Sequence, residues 1–162
     1  MRILVVSDTH GHIDKVVRYI KAHEDQLDAI WHLGDHFRDA QRIELLTGKT
    51  VLGVRGNCDG FSEAEEELTL HLEGYKILLT HGHHYGVKYS MLRLHLKAME
   101  SGYHLICFGH THVAAEFHED GVTFLNPGSV SQPRATKYGS VAMIDLDKNG
   151  IKTHIIPMGM HE

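Results

Sequence analysis

Cysteine and proline are almost missing from this chain: two cysteines and three prolines occur in 162 residues. Cys58 and Cys107 can pair only with each other, and neither sits in a CxxC unit. Neither a secreted disulfide framework nor a thiolate zinc or redox site is expected. With so little proline, and no repeat or low-complexity tract, nothing marks a linker, so one domain over residues 1–162 is expected. Long apolar runs are absent too. Ile3 to Val6 is too short for the core of a signal peptide, and no segment approaches membrane-spanning length. A soluble, cytoplasmic protein with no membrane partner is the expectation. Basic residues are outnumbered, 16 Lys and Arg against 21 Asp and Glu, for a net charge of −5. That argues against a broad nucleic-acid surface and leaves room for a local phosphate site.

What is present is ordinary in bulk. A composition 42% hydrophobic and 23% charged suits a globular domain rather than a disordered chain. A fold of this size buries roughly 70% of its unfolded surface, enough for a real core. The unusual figure is histidine, at 16 as frequent as Lys and Arg together. Histidine is the commonest side-chain metal ligand, and position decides which of the 16 matter.

The first half of the chain alternates short apolar runs with amphipathic segments. Ile3 to Ser7, Ala29 to Leu33 and Val51 to Val54 read as buried strands. Ile13, Val16, Val17 and Ile20 form a helical stripe ending near His23, and Arg38 to Thr47 reads as a helix stopped by Gly48. This β-α-β-α-β order implies parallel strands with right-handed crossovers. The pattern then changes. Leu68, Leu70 and Leu72 alternate with polar residues and turn at Glu73-Gly74 into Lys76 to Thr80. Val87 to Ser101 is expected as a helix with Leu92, Leu96 and Met99 on one face, stopped by Gly102. Strands follow at Leu105 to Phe108, Val113 to His118, Val122 to Leu125, Ser140 to Asp145 and Ile151 to Ile156, with Asn149-Gly150 as a hairpin signal. An α/β first half and a β-rich second half suggest two sheets packed together with helices outside.

Five of these strands end in metal-type ligands. Asp8 and His10 follow the first, Gly34-Asp35 the second and Gly56-Asn57 the third; His81 follows Lys76 to Thr80, and Gly109, His110 and His112 follow Leu105 to Phe108. In α/β sheets, sites form outside the carboxyl ends of strands, where loops from distant parts of the chain converge. Glycines 34, 56 and 109 allow sharp turns or close backbone approach there. Two Asp, one Asn and four His make an oxygen-and-imidazole set without thiolate. It suits Mn, Ni, Zn or Fe better than Mg or Ca alone, or a structural zinc. Seven ligands are too many for one ion; with one carboxylate bridging they serve two ions roughly 3.5–4 Å apart, as in in-line phosphoryl displacement.

Together these residues resemble the calcineurin-like metallophosphoesterases: DTH, GD, GN, HGH and GHTH in order from Asp8 to His112, and NPGSVSQPR (Asn126 to Arg134) resembles the closing segment of their small bacterial and archaeal phosphodiesterase branch. The resemblance implies a four-layer α-β-β-α sandwich, two mixed β-sheets flanked by helices. It implies Asp8, His10, Asp35 and His112 at one metal, and Asp35, Asn57, His81 and His110 at the other, with Asp35 bridging. It also implies two divalent ions, Mn foremost with Ni, Zn or Fe as alternatives, and attack of a metal-bridging hydroxide on a phosphodiester, with Asp35, Asn57 and His83 in catalytic positions. The substrate class includes nucleotide-derived small molecules, and self-association stays open. Two alternatives are a phosphomonoesterase and a non-catalytic scaffold of the same fold resembling the retromer subunit, in which the ligand pattern is degraded.

The stretch RGNCDG, Arg55 to Gly60, sets a thiol beside an acid. Many relatives in the broader superfamily carry GNH there, with a His that protonates the leaving group. Cysteine is a neutral, weak donor at pH 7 with a reference pKa of about 8.5 and does not replace an imidazolium. Asp59 is placed to orient a ligand or a water. His83 is expected in the site, His36 at its rim and His84 on the surface; His23, His71, His95, His104, His118, His154 and His161 are expected to be solvated or capping. Arg55 reads equally as a phosphate contact or a surface ion pair; Arg134 and Lys137 are expected on a solvated loop, and Glu63, Glu65, Glu66 and Glu67 on a solvated face. Gly128 and Ser129 shape a turn under the site.

Overall fold

The computed structural model describes residues 1–159. Ten strands form two mixed sheets of five. The first contains β1 (Arg2–Val6), β2 (Ala29–His32), β3 (Val51–Gly53), β9 (Ser140–Asp147) and β10 (Gly150–Pro157) in the order β10-β9-β1-β2-β3, and β1, β2 and β3 run parallel. The second contains β4 (Glu67–Leu72), β5 (Tyr75–Thr80), β6 (Leu105–Cys107), β7 (Ala115–Glu119) and β8 (Val122–Asn126) in the order β4-β5-β6-β8-β7, with β5, β6 and β8 parallel.

The strand sequences are apolar on both faces because both faces are covered. Ile3 and Val5 of β1 point between the sheets, where they meet Trp31, Leu33, Ile77, Leu79, Leu105 and Leu125. Leu4 and Val6 point the other way, onto α1 (Asp14–Ala22) and α2 (Phe37–Thr47) through Ile13, Val16, Ile20 and Ile43. On the far side of the second sheet, Leu78, Ile106 and Phe124 meet Leu94 and Ala98 of α3 (Leu92–Ser101). The layers are therefore helix, sheet, sheet, helix, as the motifs imply.

Two details differ from the sequence reading. The third helix begins at Leu92, not Val87: Gly86 sits at φ 64° and ends a 3₁₀ turn, and the chain re-enters helix only after Ser90. Its stripe of Leu92, Leu96 and Met99 faces solvent, while Leu94 and Ala98, one turn apart, meet the sheet. The last hairpin turns at Lys148 and Asn149, and Gly150 already pairs with Asp147, whose carboxylate accepts the Asn149 N–H at 2.7 Å. His161 lies outside the described residues.

Candidate metal centre

The loops after β1, β2, β3, β5 and β6 meet at one end of the two sheets and bring all seven ligand-type residues together. Asp8, His10, Asp35 and His112 form one group and Asp35, His81 and His110 a second, each with ligand atoms within 4.8 Å of one another. Asn57 joins the second, its Oδ1 3.1 Å from His81 Nε2. Asp35 belongs to both: its Oδ2 faces His10 Nε2 at 3.8 Å and its Oδ1 faces His81 Nε2 at 3.4 Å.

The hydrogen bonds around the cluster fix which atoms point inward. His81 Nδ1 donates to the Leu33 carbonyl at 2.7 Å, so the neutral ring carries its lone pair on Nε2. That lone pair faces Asn57 Oδ1, Asp35 Oδ1 and Asp8 Oδ1, the last at 3.9 Å. His112 Nδ1 likewise donates to the Gln132 carbonyl, and its Nε2 stands 3.1 Å from Asp8 Oδ1. Acceptors facing acceptors repel unless a cation lies between them. Asp8 Oδ1 and His10 Nε2 are buried with no hydrogen-bond partner. Buried polar atoms are rarely left so, and these fit metal ligands whose orientation is set by outer hydrogen bonds.

The charges agree. Burial works against ionised Asp8 and Asp35, yet the neighbouring imidazoles, with Ser7 at Asp8 and the Cys58 N–H at Asp35, hold both carboxyls below their usual range. The Asp8 carboxylate, 3.1 Å away, raises His112; His81 is raised by Asp35 and Asp8 in spite of burial. The carboxylates thus draw positive charge into the cluster. His110 and His83, where burial dominates, are pushed down to about 4 and stay neutral at pH 7.

The backbone is bent to achieve this. Asp8, His10, Asp35, His110 and His112 all adopt positive φ, between 45° and 68°. Such conformations cost roughly 1–3 kcal/mol each and gather where function requires them. Two glycines admit the close approaches: a Cβ on Gly56 would overlap Asp35 Oδ1, and one on Gly109 would overlap Ser7 Oγ. The NPGS turn braces the loops from below. Asn126 Nδ2 donates to Gly109 O and Thr111 Oγ1, and Ser129 Oγ donates to the Asp8 carbonyl at 2.8 Å.

A second layer went unread in the sequence. Gly34 N–H donates to His32 Nδ1, which places the His32 proton on Nε2, 3.0 Å from Thr9 Oγ1. Thr9 in turn donates to Asp39 Oδ2 at 2.7 Å, and Gly11 N–H donates to the same oxygen. All of His32, Thr9 and Asp39 are buried. Burial pushes His32 down to about 4, so this relay is neutral at the ring and ties the DTH loop to the GD loop through α2. The signal for it was His32 itself, a polar residue inside the apolar run of β2.

The remaining candidates fall as follows. His83 is half-buried, its ring 5.3 Å from that of His81, and its Nδ1 has no partner. His36 is exposed, 5.1 Å from the His10 ring. His84 and Arg55 pair with Glu66, and Tyr85 hydroxyl meets Glu67, so part of the acidic run is engaged. Asp59 is taken up by the backbone N–H groups of Phe37 and Gly56, both at 2.6 Å, and holds the loop after β3 to the start of α2. The Cys58 thiol is pushed up to about 11 by burial and by Asp35, so it is no thiolate at pH 7. Its backbone N–H does the contact, donating to Asp35 Oδ1 at 3.0 Å. Arg134 and Lys137 are exposed.

Comparison with known proteins gives the family of the chain. Residues 1–149 match the calcineurin-like phosphoesterase superfamily domain. The probable metallophosphoesterase YsnB of Bacillus subtilis is 35% identical over 92% of this chain and 86% of its own length. The phosphodiesterase YfcE of Escherichia coli is 30% identical over 91% and 89%. The chain therefore belongs to the calcineurin-like phosphoesterase superfamily. The fold alone is shared with zinc-complexed Vps29 of Entamoeba histolytica, at a TM-score of 0.76 and 19% identity over 98% of this chain and all of that one.

Proposed function

We propose that this protein is a phosphodiesterase that works with two divalent cations, Mn foremost. Asp8, His10, Asp35 and His112 would hold one, and Asp35, Asn57, His81 and His110 the other, with Asp35 shared. The observation that carries the proposal is the convergence of Asp8 Oδ1, Asp35 Oδ1, Asn57 Oδ1, His81 Nε2 and His112 Nε2 on one place, where Asp8 Oδ1 and His10 Nε2 are buried without a hydrogen-bond partner. When bound, two such cations bring water ionisation to near neutrality and neutralise charge on the phosphoryl oxygens. The Leu33 and Gln132 carbonyls accept from Nδ1 of His81 and His112 and keep Nε2 of each ring turned inward. His83, neutral at pH 7, would steady a phosphoryl oxygen by hydrogen bonding.

Diester rather than monoester is favoured by the likeness to YfcE and by the residue at 58. A thiol held near 11 is a poor proton donor to a leaving group, so the best substrates are those whose leaving group needs no proton. The test strips the protein of metal and assays an activated diester and monoester with Mn, Ni, Zn and Mg added singly. Metal-dependent turnover, faster on the diester and abolished by Asp35→Asn, is the expected result. Turnover without metal would refute the mechanism. Two bound ions per chain without turnover on any phosphoester would instead mark a scaffold of this fold.

A further inference from the structure

A cavity of about 550 Å³ opens beside the metal centre, between the first turn of α2 and the loop after Asn57. It borders the centre through two of its lining residues, His36 and Cys58. The ring of His36 is 5.1 Å from that of His10, and the Cys58 N–H reaches Asp35. A volume in this range suits a small organic ligand.

The lining is specific in kind. Phe37 is half-buried, whereas the ring of Phe61 across the cavity is wholly exposed, at 109%. Arg38 and Gln41 project from α2; among the described residues neither side chain has an ion-pair or hydrogen-bond partner within the protein. The acid on this side, Asp59, already accepts two backbone N–H groups, and Glu63 stands farther along the loop. A bare aromatic ring, a free guanidinium and a free amide therefore line one cavity that borders the metal centre. A hydrocarbon chain would find too little apolar wall here. A flat heteroaromatic ring finds a stacking partner and two groups that hydrogen-bond heteroatoms.

We propose that this cavity receives the nucleobase of a nucleotidyl phosphodiester, with Phe61 as the stacking surface and Arg38 and Gln41 contacting the edge of the base. The proposal rests on the phosphodiesterase reading, since it gives the substrate's organic arm a place next to the phosphate.

The test compares adenosine monophosphate with ribose phosphate, which differ only in the base. Each is titrated calorimetrically into the Mn-loaded protein and assayed as an inhibitor of an activated diester. Adenosine monophosphate is expected to bind at least about tenfold tighter, in line with the loss seen when one base–aromatic stack is removed. Phe61→Ala should bring it to within about threefold of ribose phosphate, and Phe61→Tyr should restore the gap. An exposed ring contributes little to folding, so these variants should melt like the wild type. Equal binding of the two ligands by the wild type would overturn the proposal, as would a gap that survives Phe61→Ala. Phenyl phosphate binding as tightly as adenosine monophosphate would overturn the nucleobase in favour of a simple aryl arm. Because binding is read without turnover, a protein that cleaves no phosphoester but keeps the gap refutes the enzyme reading alone.

Discussion

The Nε2 of His81 lies 3.1 Å from the Oδ1 of Asn57, and with His81 Nδ1 donating to Leu33 both atoms are acceptors. The same stretch of chain offers a thiol one residue on, yet the amide is the group that faces the cluster. Asn57→Ala is therefore expected to weaken one of the two cation sites by at least about tenfold and to bring Mn stoichiometry by calorimetry near one per chain. Cys58→Ala should keep most of the diesterase activity, because the residue reaches Asp35 through its backbone N–H. Loss of activity in Cys58→Ala with normal activity in Asn57→Ala would return the chemistry to the thiol.

Acid and base should act in opposite directions on the metal-free and metal-loaded protein. His81 and His112 have folded pKa values raised above the ordinary 6.5. The stability they contribute without metal is complete below pH 6.5 and is lost as pH rises through their raised values. Metal binding requires both rings neutral, so cation affinity should climb over that same window, with protons released on binding. Thermal melts across pH 6 to 9, with and without Mn, and calorimetry in buffers of different ionisation heat read both effects. A metal-loaded melting point that falls in parallel with the metal-free one would contradict this ligand assignment.

The clustering of the seven residues was legible because each follows an apolar run, and in parallel strands the carboxyl ends must share one edge. Their left-handed backbone was not: Asp, His and Asn tolerate positive φ, but nothing local demands it at Asp8 or His110. Asp59 looked like a group for ligand or water, whereas its oxygens are spent on the Phe37 and Gly56 N–H groups, a contact between elements that spacing does not reveal. In α3 the expected stripe of Leu92, Leu96 and Met99 proved to be the exposed one. Leu94 and Ala98, one turn apart, are the pair that meets Leu78, Ile106 and Phe124 of the sheet.

The His32, Thr9 and Asp39 relay gives a prediction for residues that touch no ligand position directly. Asp39→Ala would leave the buried Thr9 hydroxyl without its acceptor, while the N–H of exposed Gly11 can turn to water. The expected loss is about 1–3 kcal/mol of stability for that unsatisfied group. Because Thr9 lies between Asp8 and His10, Mn affinity should also drop by roughly 10–100-fold. Thr9→Ser keeps the hydroxyl and should preserve affinity, whereas Thr9→Val, equal in shape, should not. Wild-type affinity in Thr9→Val would reduce the relay to packing.

Gly56→Ala tests whether the cluster depends on close backbone approach. Gly56 does not adopt positive φ, so alanine meets no backbone penalty; its methyl would instead overlap Asp35 Oδ1, the oxygen facing His81. Either the loop after β3 or the Asp35 carboxylate has to shift, at a cost of about 1–3 kcal/mol for an overpacked site. For a chain of this length, each kcal/mol lowers the melting point by roughly 2–4 °C. The larger effect should fall on the shared ligand: a displaced Asp35 weakens both cation sites together, unlike Asn57→Ala, which weakens one. Calorimetric titration of Mn separates the two patterns. Gly56→Ala protein that binds two ions with wild-type affinity would show that Asp35 has room to move, and that the packed contact at Gly56 does not set its position.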